Sequence, residues 1–174
     1  MPGDIKDKYV ASVAATVTNL HSLASSQDWL TGWCSGYVTN TTNNYLDYLY
    51  AAAFTTHASN RQVGSINVYL INALNDTPLW PASATGTVGA EGALTFTDAE
   101  ERDSACTLIG SITVDATASS IVYLKPVAIS PFSAGELATH HCLYISQNAS
   151  TTTTAGLAAA DSVVYYTPKI KQYT

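Results

Sequence analysis

Gly64-Ser65-Ile66-Asn67-Val68-Tyr69-Leu70-Ile71-Asn72-Ala73-Leu74 is the stretch that decides the fold class. Ile66, Val68, Leu70 and Asn72 line one side at period two, and Asn67, Tyr69, Ile71 and Ala73 line the other. β-Branched and aromatic residues fill the run, so it reads as a strand. Downstream, Ala105–Val114, Ser120–Ile129, His140–Gln147 and Ser162–Thr167 have the same character.

Upstream, Tyr45–Thr56 is ambiguous. Ala51-Ala52-Ala53 would suit a helix, whereas Tyr45, Tyr48, Tyr50 and the closing Phe54-Thr55-Thr56 favour a strand, which is the reading taken. Trp29–Val38 alternates as well. It puts Trp29, Thr31, Trp33, Ser35 and Tyr37 on one face and Leu30, Gly32, Cys34, Gly36 and Val38 on the other. Tyr9–Val17 is a looser strand, and Ser25–Asp28 and Thr39–Asn44 are turn clusters. Asn75–Asp103 reads as one long irregular loop with an acidic second half. About eight strands, each needing one buried face, predict an all-β, two-sheet β-sandwich of jelly-roll type. The expected layout is an N-terminal arm over residues 1–8, a sandwich over 9–167 and a C-terminal tail over 168–174. The arm is expected to order only on contact with something else.

The chain of 174 residues fits a single domain. Charged residues make up only 11%, against roughly 25% in an average globular protein. Thr, Ser, Asn and Ala take their place, and a surface so poor in charge predicts faces hidden in an assembly. The net charge is −6, and the seven basic residues, Lys6, Lys8, Arg61, Arg102, Lys125, Lys169 and Lys171, are scattered along the sequence. That argues against nucleic acid as a partner. No apolar run reaches the roughly 20 residues of a membrane span, and no membrane partner is expected. The first residues lack the apolar stretch of a secretory signal. Cys34, Cys106 and Cys142 are odd in number and far apart, so they read as three buried thiols of a protein made in a reducing cytoplasm.

No catalytic, cofactor or metal site is expected. His140 and His141 are strand neighbours that point to opposite faces, so they cannot share one ion. His21 and His57 have no ligand at suitable spacing. The acids Glu91, Asp98, Glu100, Glu101 and Asp103 could offer oxygens to Ca²⁺, but the spacing of a calcium loop is missing. Residues 98–103 equally suit a short helical turn capped by Thr97 or Asp98. Asp47 lies between tyrosines without the second carboxylate that glycoside hydrolysis requires. The eleven tyrosines and three tryptophans are either sandwich core or an exposed platform for sugars or subunits.

Two segments carry a family resemblance. Ser25-Ser26-Gln27-Asp28-Trp29-Leu30-Thr31-Gly32-Trp33, followed by Asn40-Thr41-Thr42-Asn43-Asn44-Tyr45-Leu46-Asp47-Tyr48, resembles small proteins encoded among the head genes of tailed bacteriophages. The likeness extends through Ile66–Leu74, Leu79-Trp80-Pro81, Gly110–Asp115 and Ser120–Ile129. It implies a capsid decoration, or cement, protein of jelly-roll or related sandwich fold. Such a protein is often a homotrimer that sits on the outer capsid surface and stiffens the shell. The expected partners are then the major capsid protein and the protein's own copies, and the expected location is the virion. Asp4, Ile5, Lys6 and Lys8 of the arm and Lys169, Lys171 and Tyr173 of the tail are the expected contact residues. A carbohydrate-binding or receptor-binding module of a phage tail or fibre is the alternative. A hydrolase on a sandwich scaffold ranks third.

Overall fold

The computed structural model describes residues 5–59, 63–115, 117–149 and 156–173. The chain folds as an all-β sandwich of two antiparallel sheets. The strands are β1 (Ile5–Tyr9), β2 (Val13–Ala14), β3 (Thr31–Cys34), β4 (Val38–Thr39), β5 (Asp47–Thr55), β6 (Gly64–Asn72), β7 (Ala84–Thr85), β8 (Gly92–Phe96), β9 (Thr107–Val114), β10 (Ile121–Ala128), β11 (His140–Ala149) and β12 (Val163–Tyr173). A single α-helix among the described residues, α1 (Ala99–Ala105), precedes β9.

One sheet runs β1-β12-β5-β10, with β2 also on β12. The other runs β7-β8-β3-β11-β6-β9, with β4 also on β11. Eight principal strands remain once β1 with β2, and β3 with β4, are taken as interrupted single strands and the β7–β8 pair is set aside. The first then lies beside the last, followed by the third and sixth. The second lies beside the seventh, followed by the fourth and fifth. That interleaving is the jelly roll. The two interruptions and the extra β7–β8 pair raise the strand count among the described residues to twelve, above the eight expected.

The period-two pattern explains the core. Tyr48, Tyr50, Ala52 and Phe54 of β5 face Ile66, Val68 and Leu70 of β6 and Leu143 and Ile145 of β11 across the sandwich. Trp33, fully buried, joins the same cluster. The Ala51–Ala53 run, with its helical tendency, is therefore overridden by the inward tyrosines and Phe54 on either side. Pro126 is tolerated because β10 is an edge strand, and the register slips between Leu124 and Val127.

Residues 64–74 alternate as expected, but neither face is wet. Tyr69 and Ile71 lie in a second apolar cluster with Cys34, Cys142, Tyr144, Leu94 and Phe96. Val88, Trp80 and Ala105 pack onto that cluster, so part of the Asn75–Asp103 segment forms a third layer over this sheet. The long-loop expectation is corrected here. Gly92–Phe96 is a strand paired with β3, and residues 99–105 are helical. Asp98 caps the helix by accepting from the Glu101 N–H at 2.8 Å. Arg102, buried, stacks over the Tyr69 ring at 5.4 Å and donates to the Asp28 carbonyl, which ties the helix to the sheet. The Trp29–Val38 expectation also changes. Gln27–Trp29 is a 3₁₀ turn and only Thr31–Cys34 and Val38–Thr39 are extended, so Trp29, Trp33 and Tyr37 do not form one exposed face.

Candidate assembly interface

Strand pairing gathers what the sequence separates. β1 and the end of β12 form an antiparallel ribbon, with Ile5 opposite Tyr173, Lys6 opposite Gln172, Asp7 opposite Lys171, Lys8 opposite Ile170 and Tyr9 opposite Lys169. The described parts of the expected arm and tail thus pair with each other, and β12 runs without a break across the expected boundary at 167/168. Of the expected contact residues, Ile5, Lys6, Lys8, Lys169, Lys171 and Tyr173 lie in this ribbon. Asp4 lies outside the described residues, as does the threonine run 151–154.

Pairing of β12 with β5 ends at Lys169 opposite Asp47, so from Ile170 onward β12 is paired with β1 alone. All five residues of β1 are exposed. Cross-strand partners share a face. Ile5, Asp7 and Tyr9 therefore lie with Lys169 and Lys171, and the Lys169 ammonium pairs with the Asp7 carboxylate at 2.8 Å. The hydrogen bond from Lys169 lowers the Asp7 pKa, and in return Asp7 raises that of Lys169. Lys6 and Lys8 lie on the opposite face with Ile170 and Gln172, away from any cross-strand carboxylate. Four of the chain's seven basic residues sit in this ribbon, while the acids are concentrated in the body.

The Lys169 face continues onto the outer surface of the first sheet. Leu49, Ala51 and Ala53 of β5 lie there beside Thr167, Tyr165 and Val163 of β12 and Ala128 and Tyr123 of β10. Charge on this face is confined to its margins, at Asp47, buried opposite Lys169, and at the exposed Lys125 of the edge strand β10. Tyr123 is 64% exposed, Tyr165 42% and Ile121 51%. A shallow depression of about 370 Å³ is lined by Ser12, Leu49, Ala51, Pro126, Tyr165 and Thr167. The two sheets therefore differ. The chain covers the outer face of one with its own third layer, and among the described residues none forms such a layer over the other.

The remaining candidates have structural partners. Asp47, buried, accepts through Oδ1 from the N–H groups of Tyr48 (2.8 Å), Ile129 (3.1 Å) and Ser130 (2.9 Å), and through Oδ2 from the Ser130 hydroxyl (2.9 Å). His141 lies 2.9 Å from the Tyr50 hydroxyl inside the sandwich, and burial lowers its pKa to about 4. His140 packs edge-on against Tyr37. The acids of residues 91–103 go to separate partners. Asp98 and Glu101 serve the α1 N-terminus, and Asp103 pairs with Arg102 at 2.7 Å. Glu91 turns away from them and accepts from Trp33 Nε1 (2.7 Å), the Asn19 N–H (2.7 Å) and Asn19 Nδ2 (2.5 Å). Burial alone would raise the Glu91 pKa, but these donors outweigh it and hold the carboxyl below its usual range. No local pattern signals this Glu91 role, because its partners are 58 and 72 positions away. Glu91 also borders a cleft of about 290 Å³ between the sheets, lined by Tyr37, Tyr50, Tyr166 and Ser35 among others.

Comparison with protein-family models, with curated proteins and with solved structures returned no match to this chain.

Proposed function

We propose that the protein is a virion structural protein, a capsid decoration (cement) protein that binds the outer capsid surface and stabilises the head. The observation that carries this reading is the basic β1–β12 ribbon continuing into an exposed, charge-poor sheet face on an otherwise acidic body. Large charge-poor exposed faces mark contact surfaces. A basic patch beside one selects an acidic partner and orients it. The partner in this reading is the major capsid protein, and self-association into a homotrimer would use the same exposed face. The resemblance carried by Ser25–Trp33 and Asn40–Tyr48 supports the same reading.

Lysines on an edge strand also deter unwanted strand pairing, so the test must separate docking from solubility. Purified protein is sedimented with phage capsid shells that lack it. Saturable binding at a fixed copy number per capsomer is expected, weakening as salt rises. Lys6→Glu/Lys8→Glu and Lys169→Glu/Lys171→Glu should weaken binding, while Glu100→Gln, on α1 beside the other sheet, should not. Absence of binding, or binding indifferent to all four charge reversals, would refute the assignment.

One observation favours a second reading, a carbohydrate-binding module. The tyrosine-lined cleft at Glu91 offers rings for stacking and a carboxylate for hydroxyls. Glycan-array binding that is lost on Tyr37→Ala would move the assignment there.

A further inference from the structure

We propose that Cys34 and Cys142 form a peroxide-sensitive dithiol that closes to an internal disulfide. Cys34 ends β3, and Cys142 lies in the neighbouring strand β11. Cys34 stands opposite Tyr144. Beyond it the Ser35 N–H donates to the Leu143 carbonyl at 2.9 Å, and the Leu143 N–H donates to the Ser35 hydroxyl at 2.9 Å. These bonds hold the two strand ends together and leave the Cys34 and Cys142 sulfurs 3.7 Å apart. Closing to the disulfide distance of about 2.05 Å is a short sulfur movement.

The two thiols are not equivalent. The thiol–thiol contact and the Gly89 N–H, which donates to Cys34 Sγ at 3.4 Å, make Cys34 the more readily ionised, whereas the same contact and burial push Cys142 up. Cys106 shares the same apolar layer, and burial pushes its pKa up to about 12. The attacking group is therefore Cys34. Its thiolate attacks one oxygen of hydrogen peroxide, the O–O bond breaks and hydroxide leaves, giving a sulfenic acid on Cys34. Cys142 then gives up its proton, its sulfur attacks Cys34 Sγ, and the sulfenic oxygen departs as water. Overall, two thiols and one peroxide become one disulfide and two waters. Both cysteines are fully buried beneath the Val88–Gly89 segment, so the oxidant must be small and the cover must open.

The bond would tie together residues 108 positions apart, and the oxidised chain should resist unfolding more than the reduced one. The test is graded hydrogen peroxide on the full chain, read by intact mass and non-reducing peptide mapping. The expected result is loss of two hydrogens, a Cys34–Cys142 cross-linked peptide, Cys106 still open to alkylation, and a raised Tm that dithiothreitol reverses. Cys106→Ser should leave this unchanged. Cys142→Ser should stop the cross-link and let Cys34 gain oxygen instead. No cross-link in the wild-type chain, a cross-link through Cys106, or oxygen addition alone would overturn the proposal. Mapping the wild-type chain decides it even if a cysteine variant fails to fold.

Discussion

Replacing Asp47 by alanine tests whether this carboxylate is a structural clamp or a spare catalytic group. Its oxygens gather three backbone N–H groups and one hydroxyl where β5 meets the turn after β10. The Ile129 N–H also reaches the Tyr48 carbonyl at 3.1 Å, so it keeps a partner when the side chain is lost. The Tyr48 and Ser130 N–H groups lose the carboxylate that holds them. Hydrogen bonds to a charged acceptor are worth about 1.5–3 kcal/mol each, and partial exposure of Ser130 reduces its share, so Asp47→Ala should cost about 3 kcal/mol. For a domain of this size that lowers Tm by about 6–12 °C. Asp47→Asn retains Oδ1 for the N–H groups, and its amide can donate to the Ser130 hydroxyl, so it should cost about 1 kcal/mol. Urea denaturation of the three proteins, at unchanged m-value, measures both numbers. A loss below about 1 kcal/mol for Asp47→Ala, or equal losses for both variants, would refute the clamp.

Three further outcomes are expected. His141 is held neutral by burial, with a folded pKa of about 4 against an ordinary 6.5. Below pH 6.5 the unfolded chain takes up a proton that the folded chain refuses, so stability should fall by about 3 kcal/mol as pH drops to about 4. His141→Gln should flatten that slope in pH-dependent urea melts. Glu91, held low, adds stability that is present above its ordinary pKa and lost as pH falls through its folded one. Trp33→Phe removes one donor, so an NMR titration should show the Glu91 pKa rising. Gly32→Ala would drive a methyl into the Ile145 carbonyl and to within 2.7 Å of the Tyr144 ring, whereas Gly36 has open space around its Cα. Gly32→Ala should cost about 2–4 kcal/mol and Gly36→Ala less than about 0.5 kcal/mol, both read by thermal unfolding.

The fold was legible wherever alternation was strong. Ile66–Ile71 announces its pairing faces through side-chain type alone, whereas Tyr48–Phe54 is ambiguous at Ala51–Ala53 until the sheet places its tyrosines and Phe54 inward; together they supply much of the inter-sheet core. Gly92–Phe96 was not legible as a strand because glycine and alanine open it and acids crowd behind it. Only its partner β3 reveals that Leu94 and Phe96 point inward to buried positions. Trp29 and Trp33 looked like one face because periodicity cannot see the positive φ of Asp28 and Trp29 that turns the chain between them. The expected contact residues lie at both ends of the sequence, and nothing local in either segment signals that they meet. Their meeting is a property of register, which depends on the strands between them. Glu91 was hidden for the same reason, since a hydrogen bond across dozens of residues leaves no local trace.

The pairing of β1 and β2 with β12 also sets an order of events during synthesis. The Ser12 and Thr167 hydroxyls, 2.7 Å apart in the finished sheet, are separated by 155 residues of chain. The opening strands cannot find their partner until nearly everything between has been translated, and closing so long a loop is slow. Until then, β5 and the first-made strands have open edges in the crowded surroundings of the ribosome. The sparse charge that leaves an exposed face for partners in the mature molecule offers those edges little protection. This protein should therefore be hardest to make soluble during the interval before β12 arrives, and slowing translation should lower its yield more than slowing its later assembly.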